Sequence, residues 1–309
     1  MRKEELSFDS RDGISQIYAV KWIPDTEPKA VLQITHGMAE HIARYEDFAR
    51  FMCGHGILVT GDDHLGHGRT AKINNAKQGY ICAKHGDTVM VRDEHRLKKI
   101  VQGENPGVPY FVLGHSMGSF IIRNYMYRYG TGINGAIVMG TGMQPRGLLC
   151  VSRAMAAVSG FLLGDDHIPA VLNSLAFGSY NKRVRDPQND YEWLSRNKVN
   201  QQKYLDDPDC GFTFTVNGFK ALFKLIWKLT DKENISKMPK SLPILMVSGE
   251  EDPVGNYGEA VRQVYDSYKE LGMENVTLKL YPEDRHEILN EVDNETVYTD
   301  ILNWIEGLL

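Results

Sequence analysis

The sequence predicts an α/β fold in which a mostly parallel central sheet is flanked by helices and interrupted by an inserted, mainly helical segment. Over the first 140 residues, short apolar runs of strand length alternate with apolar residues at helical spacing. This alternation stops after Gly142 and resumes at Pro243. A G-x-S-x-G pattern also lies between a strand-like and a helix-like run, at 114–118.

The elements of the first part follow one another along the chain. Apolar runs typical of buried strands lie at 16–22, 31–35, 57–61, 110–113 and 135–139. Apolar side chains recur every three or four residues, as on one face of a helix, over 42–55, 88–102 and 120–129. Because most strands are followed by a helix, we expect helical crossovers between parallel strands.

The rest of the chain predicts an insertion followed by the end of the core. No convincing strand occurs from Met143 to Pro239, and a strand, helix, strand and helix follow at 243–247, 257–271, 276–281 and 297–308. We therefore predict one core of residues 1–142 and 240–309, with residues 143–239 forming a helical cap. Insertions of this length usually have a function, often as lids.

Composition excludes several classes of protein. The 309 residues carry 35 basic and 40 acidic side chains, a net charge of −5, which disfavours nucleic-acid binding. The longest apolar run, near 154–163, is shorter than the roughly 20 residues that cross a membrane. The N-terminal stretch lacks a secretory pattern, and the four cysteines are widely spaced. These features predict free thiols and a cytoplasmic protein.

The G-x-S-x-G pattern predicts a nucleophilic serine. Gly114, His115, Ser116, Met117 and Gly118 follow the strand-like run PYFVL and precede a helix-like run. Such a turn presents the serine hydroxyl above the sheet in strained backbone, and its glycines avoid a collision across the turn. The pattern G-x-x-x-x-G-K-[ST] of phosphate loops is absent. We expect His115 to pack beside the site rather than react.

A serine nucleophile needs a base and an acid that orients the base. After this turn the acid precedes the histidine in the chain, and only His167 and His286 follow Ser116. His167 falls inside the predicted cap, so His286, which follows the strand at 276–281, is the predicted base. Glu250, Glu251 and Asp252 compete as the acid, and Pro253 favours Asp252 because it fixes the loop directly after it.

Backbone N–H groups are expected to stabilise the oxyanion. One should come from Met117, the residue after the nucleophile, and the other from the loop that follows the strand at 31–35. That loop contains His36, Gly37 and Met38, and Met38 is the predicted donor. His36, Gly37, Gly114, His115 and Gly118 are predicted to support the site loops.

Five segments resemble the monoacylglycerol lipases and related lysophospholipases. Residues 36–45 resemble their HGxxEHxxRY stretch, 63–68 their DHxGHG turn, 114–118 their GHSMG sequence, 249–254 their GxxDxx acid loop, and 281–286 their final histidine loop. This resemblance implies the α/β-hydrolase fold, in its serine aminopeptidase-like branch, and supports Asp252 as the acid. Ser119 stands where these lipases often have a second glycine, and Gly255 and Asn256 stand where some animal members have a cysteine.

A metal is not expected. Asp62, Asp63, His64 and His67 include enough ligand types for a zinc site. However, the neighbouring glycines mark a tight turn, and we expect these side chains to tie loops together. Neither a metal nor an organic cofactor is required by the predicted chemistry.

The predicted cap is rich in apolar residues, which leaves two interpretations open. Residues 146–163 read as an amphipathic helix facing the core, and 212–227 form a second apolar segment, helical in its second half. These segments could simply pack on the core, or they could line an acyl-chain channel over Ser116. Four further cap residues are candidates for substrate contact: Asn173, Tyr180, Tyr191 and Trp193.

The sequence thus predicts a serine hydrolase of carboxylic esters that acts through an acyl-enzyme. The resemblance and the apolar cap favour a small-molecule substrate with a single acyl chain, such as a monoacylglycerol or a lysophospholipid, and transient contact of the cap with lipid surfaces. A short-chain carboxylesterase or an aminopeptidase remains an alternative, the latter if Asp165 and Asp166 hold a substrate amine. A non-catalytic binding protein on this fold is a third. The oligomeric state is not predicted.

Overall fold

One eight-stranded sheet forms the centre of the protein in the computed structural model, which describes residues 1–309. The strands are β1 (Arg2–Asp9), β2 (Gln16–Ile23), β3 (Ala30–Thr35), β4 (Ile57–Asp62), β5 (Tyr110–His115), β6 (Gly135–Met139), β7 (Ile244–Gly249) and β8 (Val276–Tyr281). Their order is β1-β2-β4-β3-β5-β6-β7-β8. Only β2 runs antiparallel to its neighbours, β1 and β4, and all other neighbouring strands are parallel, so the predicted, mostly parallel sheet is confirmed.

Helices cover both faces of the sheet. They are α1 (Glu46–Gly54), α2 (Gly68–Ile73), α3 (Gly86–Glu104), α4 (Met117–Tyr129), α5 (Arg146–Leu163), α6 (Ala170–Phe177), α7 (Lys198–Asp206), α8 (Val216–Lys228), α9 (Lys232–Ser236), α10 (Glu259–Glu270) and α11 (Asn294–Glu306). One apolar core lies between the sheet and α3, α4 and α10, and the other between the sheet and α1 and α11. This two-sided burial explains why the central strands read as continuous apolar runs.

Two elements have no counterpart among the predicted ones. Strand β1 pairs with β2 at the edge of the sheet, and all of its residues except Phe8 are at least partly exposed. Its charged sequence RKEELSFD therefore lacks the apolar run of a buried strand, as is common for edge strands. Helix α2 has only six residues, which is too short for a helical period to be recognised.

Residues 143–239 form α5 to α9 without a strand, between β6 and β7. Helix α5 has the predicted bounds, but the expectation that its apolar face packs on the core is only partly met. Leu149, Ser152 and Ala156 are buried, whereas Val151 and Phe161 are exposed on the outside. The length and composition of α5 would allow it to cross a membrane, whereas the uninterrupted apolar run in the sequence was shorter than a membrane span. Only 17% of this helix is buried. All four cysteines are free.

Candidate active site

Ser116 lies on the turn between β5 and α4, at the carboxyl end of the central strands. Its backbone has φ 54° and ψ −118°, a strained conformation for a residue with a side chain. A Cβ on Gly114 would collide with the carbonyl of Gly118, as predicted for this turn. A Cβ on Gly118 would instead strike the Thr35 carbonyl at the end of β3. The glycines thus permit both the turn and its close packing on the neighbouring strand.

His286 and Asp252 meet beneath this turn, in the loops that follow β8 and β7. The Nδ1 atom of His286 lies 2.9 Å from Oδ2 of Asp252, and both residues are buried. Asp252 also accepts hydrogen bonds from the Ser248 hydroxyl, at 3.2 Å, and from the Val254 amide, at 2.8 Å. Glu251, one of the competing acids, is exposed. This geometry holds the Nδ1–H tautomer of His286 and leaves Nε2 free to accept a proton.

Ser116 and His286 line the same cavity, but their side chains are not hydrogen-bonded to each other in this structure. The imidazole of His286 is held in place by its neighbours, with Trp193 and His115 at ring distances of 5.1 and 4.6 Å. A hydrogen bond between a serine nucleophile and its histidine base is often long before substrate arrives and tightens when substrate binds.

The predicted oxyanion donors lie beside the serine. The Met38 amide donates no hydrogen bond within the protein, and Met117 is the first residue of α4, where amides lack an intrahelical acceptor. A Cβ on Gly37 would lie 3.1 Å from Cβ of Ser116, so the loop after β3 passes directly over the nucleophile. The two amides can therefore face the same developing negative charge.

His36 supports that loop from below. Its Nε2 accepts a hydrogen bond from the His64 amide at 3.1 Å, and its Nδ1 donates to the Gly37 carbonyl at 2.7 Å. Burial, followed by the nearby His64, holds the pKa of His36 well below its usual value. A neutral His36 thus links the oxyanion loop to the turn after β4.

His115 packs beside Ser116. Its Nδ1 lies 3.1 Å from a carboxylate oxygen of Glu40, and its Nε2 lies 3.2 Å from the His286 carbonyl. Burial opposes the charged form, but the hydrogen bond and charge of Glu40, together with the charge of Glu287 and the His286 carbonyl, outweigh it and raise the pKa of His115. Ser119, where relatives often have glycine, donates its hydroxyl to the Ser116 carbonyl at 2.6 Å and so braces the turn.

The four residues considered for a metal site do not all lie together in the structure. Asp63 accepts from the amides of Ile42 and Arg69, at 2.8 and 2.7 Å, and so ties two loops together. Asp62 and His64 lie instead with Glu94 in a buried group whose ligand atoms are within 4.8 Å of one another, and His41, Asp207 and Cys210 form a second such group. Burial, followed by the nearby Asp62, raises the pKa of Glu94 well above its usual value.

Two cavities meet at Ser116. The larger has a volume of about 690 Å³, and 19 of its 31 lining residues are hydrophobic. It runs beneath the helical segment, and its lining includes Leu149, Leu175, Leu222 and Ile226. The smaller has about 350 Å³ and is more polar, with 8 hydrophobic residues among 21.

All four cap residues singled out in the sequence line one of these cavities. Tyr180 lines the larger, Asn173 and Tyr191 line the smaller, and Trp193 lines both. Asp165 forms an ion pair with Lys220, and neither Asp165 nor Asp166 lines either cavity.

Sequence patterns did not identify the charged residues around the site. Glu40, Arg44 and Glu287 form a buried cluster that contacts the oxyanion loop and the histidine loop. Glu40 and Arg44 lie within the stretch that resembles the lipases, which is the one signal that could have indicated them. Glu287 has no such signal, because its partners lie 243 and 87 residues away in the chain.

Comparisons with known proteins agree with this architecture. The family model described as "Serine aminopeptidase, S33" matches residues 26–293. The monoacylglycerol lipase of Mycolicibacterium smegmatis is 29% identical over 307 residues, covering 98% of this chain and 97% of its own. The monoglyceride lipase of Homo sapiens is 28% identical over 289 residues, covering 92% of this chain and 84% of its own.

A solved structure extends the likeness to three dimensions. A highly thermostable carboxyl esterase from Bacillus coagulans, in complex with glycerol, superimposes with a TM-score of 0.93 at 31% identity. The match covers 100% of this chain and 99% of the esterase. The sequence, the sheet topology and these relatives lead to one conclusion: the chain is an ester hydrolase of the α/β-hydrolase fold and belongs to the serine aminopeptidase S33 family, with the monoacylglycerol lipases among its relatives.

Proposed function

We propose that the protein hydrolyses single-chain acyl esters of small, uncharged alcohols through an acyl-enzyme on Ser116. The observation that carries this proposal is the meeting of two unlike cavities at the serine. The larger, apolar cavity suits an acyl chain, and its volume lies within the range of roughly 300–1,000 Å³ that is usual for ligand sites. The smaller, polar cavity suits the alcohol.

The reaction would take place in two steps. His286 takes the hydroxyl proton of Ser116 as Oγ bonds to the acyl carbon, and the Met38 and Met117 amides stabilise the oxyanion. The bond to the alcohol oxygen then breaks, and His286 returns the proton to that oxygen. Water, deprotonated by His286, next attacks the acyl carbon. The bond from that carbon to Oγ of Ser116 breaks, Oγ takes the proton back from His286, and the fatty acid leaves. Asp252 orients the imidazole and stabilises its charged form in both steps.

The polar cavity favours a neutral alcohol over a phosphate-bearing one. Its lining contains no lysine or arginine, and Asp190 stands among its lining residues. His115 also lines this cavity, but its Nδ1 already faces the Glu40 carboxylate. A phosphodiester next to Asp190 would therefore lose hydration without gaining an unpaired cation. Of the two substrate classes suggested by the sequence, this arrangement supports monoacylglycerols over lysophospholipids.

The helical segment 143–239 would act as the cap and as the contact with lipid. Helices α5 and α6 expose large apolar side chains, among them Phe161 (89% exposed), Leu162 (69%) and Val171 (66%). Large apolar side chains exposed on two helices that contact each other suit a surface that binds a partner or a membrane. Since the same helices roof the larger cavity, a lipid surface docked there would deliver single-chain esters close to the cavity.

The alternative functions have less support from the site. The acids that could have held a substrate amine in an aminopeptidase, Asp165 and Asp166, do not line the cavities. A short-chain esterase would not need the larger cavity. The cytoplasmic location and the oligomeric state stay predictions to be tested separately.

Hydrolysis of matched lipids tests the proposal. Wild type and Ser116→Ala should be assayed with 1-monooleoylglycerol, its lysophosphatidylcholine counterpart and p-nitrophenyl butyrate. The proposal predicts the highest kcat/KM for the monoacylglycerol and none of the three activities in the variant. A preference for butyrate would support a short-chain esterase, and a preference for the lysophospholipid would contradict the neutral-alcohol assignment.

A further inference from the structure

Four charged side chains, Glu40, Arg44, His115 and Glu287, form a buried charge cluster behind the candidate active site. The guanidinium of Arg44 binds Glu287 with both of its terminal nitrogens, each at 2.7 Å, and Nη1 also binds Glu40 at 2.7 Å. Forked contacts of this kind fix orientation as well as distance. The three side chains of this ion pair network are at most 9% exposed.

The buried charge cluster joins the three loops that carry the proposed reacting groups. Glu40 accepts a hydrogen bond from the Gly37 amide at 2.6 Å, and thereby holds the oxyanion loop. His115 directly precedes the nucleophile, and Glu287 directly follows the proposed base. Arg44 itself lines neither of the two cavities that meet at Ser116. It can therefore influence the reaction only through its neighbours.

The charges of the cluster balance only when Arg44 is present. The Nδ1 of His115 lies within hydrogen-bond distance of the Glu40 carboxylate and the Tyr45 hydroxyl, and its Nε2 faces a backbone carbonyl, an environment that favours the charged imidazole. The two carboxylates, of Glu40 and Glu287, are then matched by two cations, Arg44 and His115. Without Arg44, one carboxylate would be buried with no counter-ion, which is strongly unfavourable.

The same cluster docks part of the helical segment. Asn200 of α7 donates to Glu287 at 2.7 Å, and the ring of Tyr204 lies 4.9 Å from the Arg44 guanidinium. The Glu287 amide donates to the Leu194 carbonyl at 2.7 Å. The α7 end of the segment is thus fastened to the loop of the proposed base, whereas α5 and α6 carry the exposed apolar surface.

We infer that the Arg44–Glu287 pair is a positioning device that sets the separation between the base loop and the oxyanion loop. The inference rests on the proposed function, because it concerns the geometry of that site. If these two loops are fixed relative to each other, His286 and the Met38 amide stay correctly placed around the same substrate carbonyl group. Misplacement of about 1 Å in such a site costs about 100-fold in rate. Because Arg44 lines neither cavity, its contribution should appear in kcat rather than in substrate binding, although Glu287 itself lines the smaller cavity.

A pair of variants separates positioning from stability. Arg44→Met leaves buried carboxylates unmatched and should lower the melting temperature. The double variant Arg44→Met with Glu287→Leu removes both charges, and buried ion pairs replaced by apolar side chains often regain stability. The matched control is Asp87→Asn, which breaks another buried ion pair, to Lys228, between α3 and α8.

Steady-state kinetics on p-nitrophenyl butyrate and thermal melts give the readout. We expect the double variant to recover most of the melting temperature while kcat stays about 10- to 100-fold below wild type and KM changes less than about twofold. Asp87→Asn should lose stability and keep its kcat. A double variant with wild-type kcat would overturn the inference, as would an equal loss of kcat in the control.

Two further variants decide the question if the double variant does not fold or if the proposed function itself fails. If the double variant does not fold, Arg44→Lys retains the charge but loses the fork; a reduced kcat at unchanged KM then supports positioning, and a wild-type kcat overturns it. If Ser116→Ala is as active as wild type, the proposed function fails rather than the role of Arg44. A Ser116→Ala variant without activity, beside an Arg44→Lys variant with full activity, refutes the positioning role alone.

Discussion

Asp252 and His286 are 34 residues apart in the chain, yet Oδ2 of the first lies 2.9 Å from Nδ1 of the second. The contact arises because β7 and β8 are parallel neighbours, so the loops at their carboxyl ends lie side by side. Ser248, at the end of β7, donates its hydroxyl to the same carboxylate oxygen. The acid is therefore held by its own strand while it orients the imidazole.

The contact between Asp252 and His286 predicts that hydrolysis depends on the Asp252 carboxylate and not on that of Glu251. Asp252→Asn should reduce kcat by about 10⁴-fold, because the amide no longer holds the Nδ1–H tautomer. Glu251→Gln is the matched control, since that carboxylate is the next residue along but is exposed, and it should stay within about twofold of wild type. Steady-state ester hydrolysis measures both. Severe loss in Glu251→Gln and mild loss in Asp252→Asn would reverse the assignment.

The larger cavity predicts how acyl-chain length can be changed. Leu149 lines that cavity from α5, so Leu149→Trp should shorten the preferred chain in a series of p-nitrophenyl esters from acetate to palmitate. Val151, two residues further on, is exposed on the outer face, so Val151→Trp should leave the preference unchanged. The ratio of kcat/KM for palmitate to that for butyrate is the measured quantity. A similar shift in both variants would mean that the acyl chain does not occupy this cavity.

The exposed apolar surface predicts a dependence on lipid. Replacing Phe161 and Leu162 by glutamate should weaken binding to phosphatidylcholine vesicles and slow hydrolysis of monoacylglycerol in those vesicles. Hydrolysis of soluble p-nitrophenyl acetate should not change. Ile14→Glu, at an equally exposed isoleucine between β1 and β2, serves as the control for an added charge. Vesicle flotation of the double variant at the wild-type level would contradict the assignment of this surface.

The Arg44–Glu287 pair predicts a loss of stability in acid. Burial raises the pKa of Glu287, but the charge and hydrogen bonds of Arg44, together with the hydrogen bond from Asn200, outweigh it and lower the pKa below the ordinary value of 4.5. The folded state therefore binds fewer protons than the unfolded chain just below pH 4.5, and the stabilisation present above that pH is lost as the pH falls further. Wild type should exceed Glu287→Gln in melting temperature at pH 7, and the gap should narrow below pH 4.5. A gap that is constant with pH would contradict this linkage.

The core of the fold and the residues of the candidate site could be read from the sequence because their signals are local. Strands β3 to β7 are buried on both faces, so each reads as an apolar run, and β6 and β8 have the predicted bounds. The serine turn combines strand, glycines and helix within a few residues. The proposed base followed from chain order, which leaves only His167 and His286 after Ser116, and from the position of His167 inside the predicted cap.

The remaining features depend on contacts that the sequence does not display. Strand β1 is stabilised by pairing at the sheet edge rather than by an apolar run. A helix with its apolar face turned outward, like α5, has the same spacing of apolar residues in its sequence as a helix with that face turned inward. The contact between Arg44 and Glu287 joins residues 243 positions apart, and no spacing rule connects them. Burial and long-range charge pairing are properties of the assembled fold.

The central claim is that Ser116 forms an acyl-enzyme, and trapping that intermediate tests it most directly. Wild type and Ser116→Ala should be mixed with p-nitrophenyl decanoate, quenched in acid during the first turnover, and weighed intact by mass spectrometry. We predict a decanoyl adduct on wild type, mapped by peptide sequencing to Ser116, and no adduct on the variant. A decanoyl group on another residue, or equal labelling and turnover in Ser116→Ala, would contradict the account.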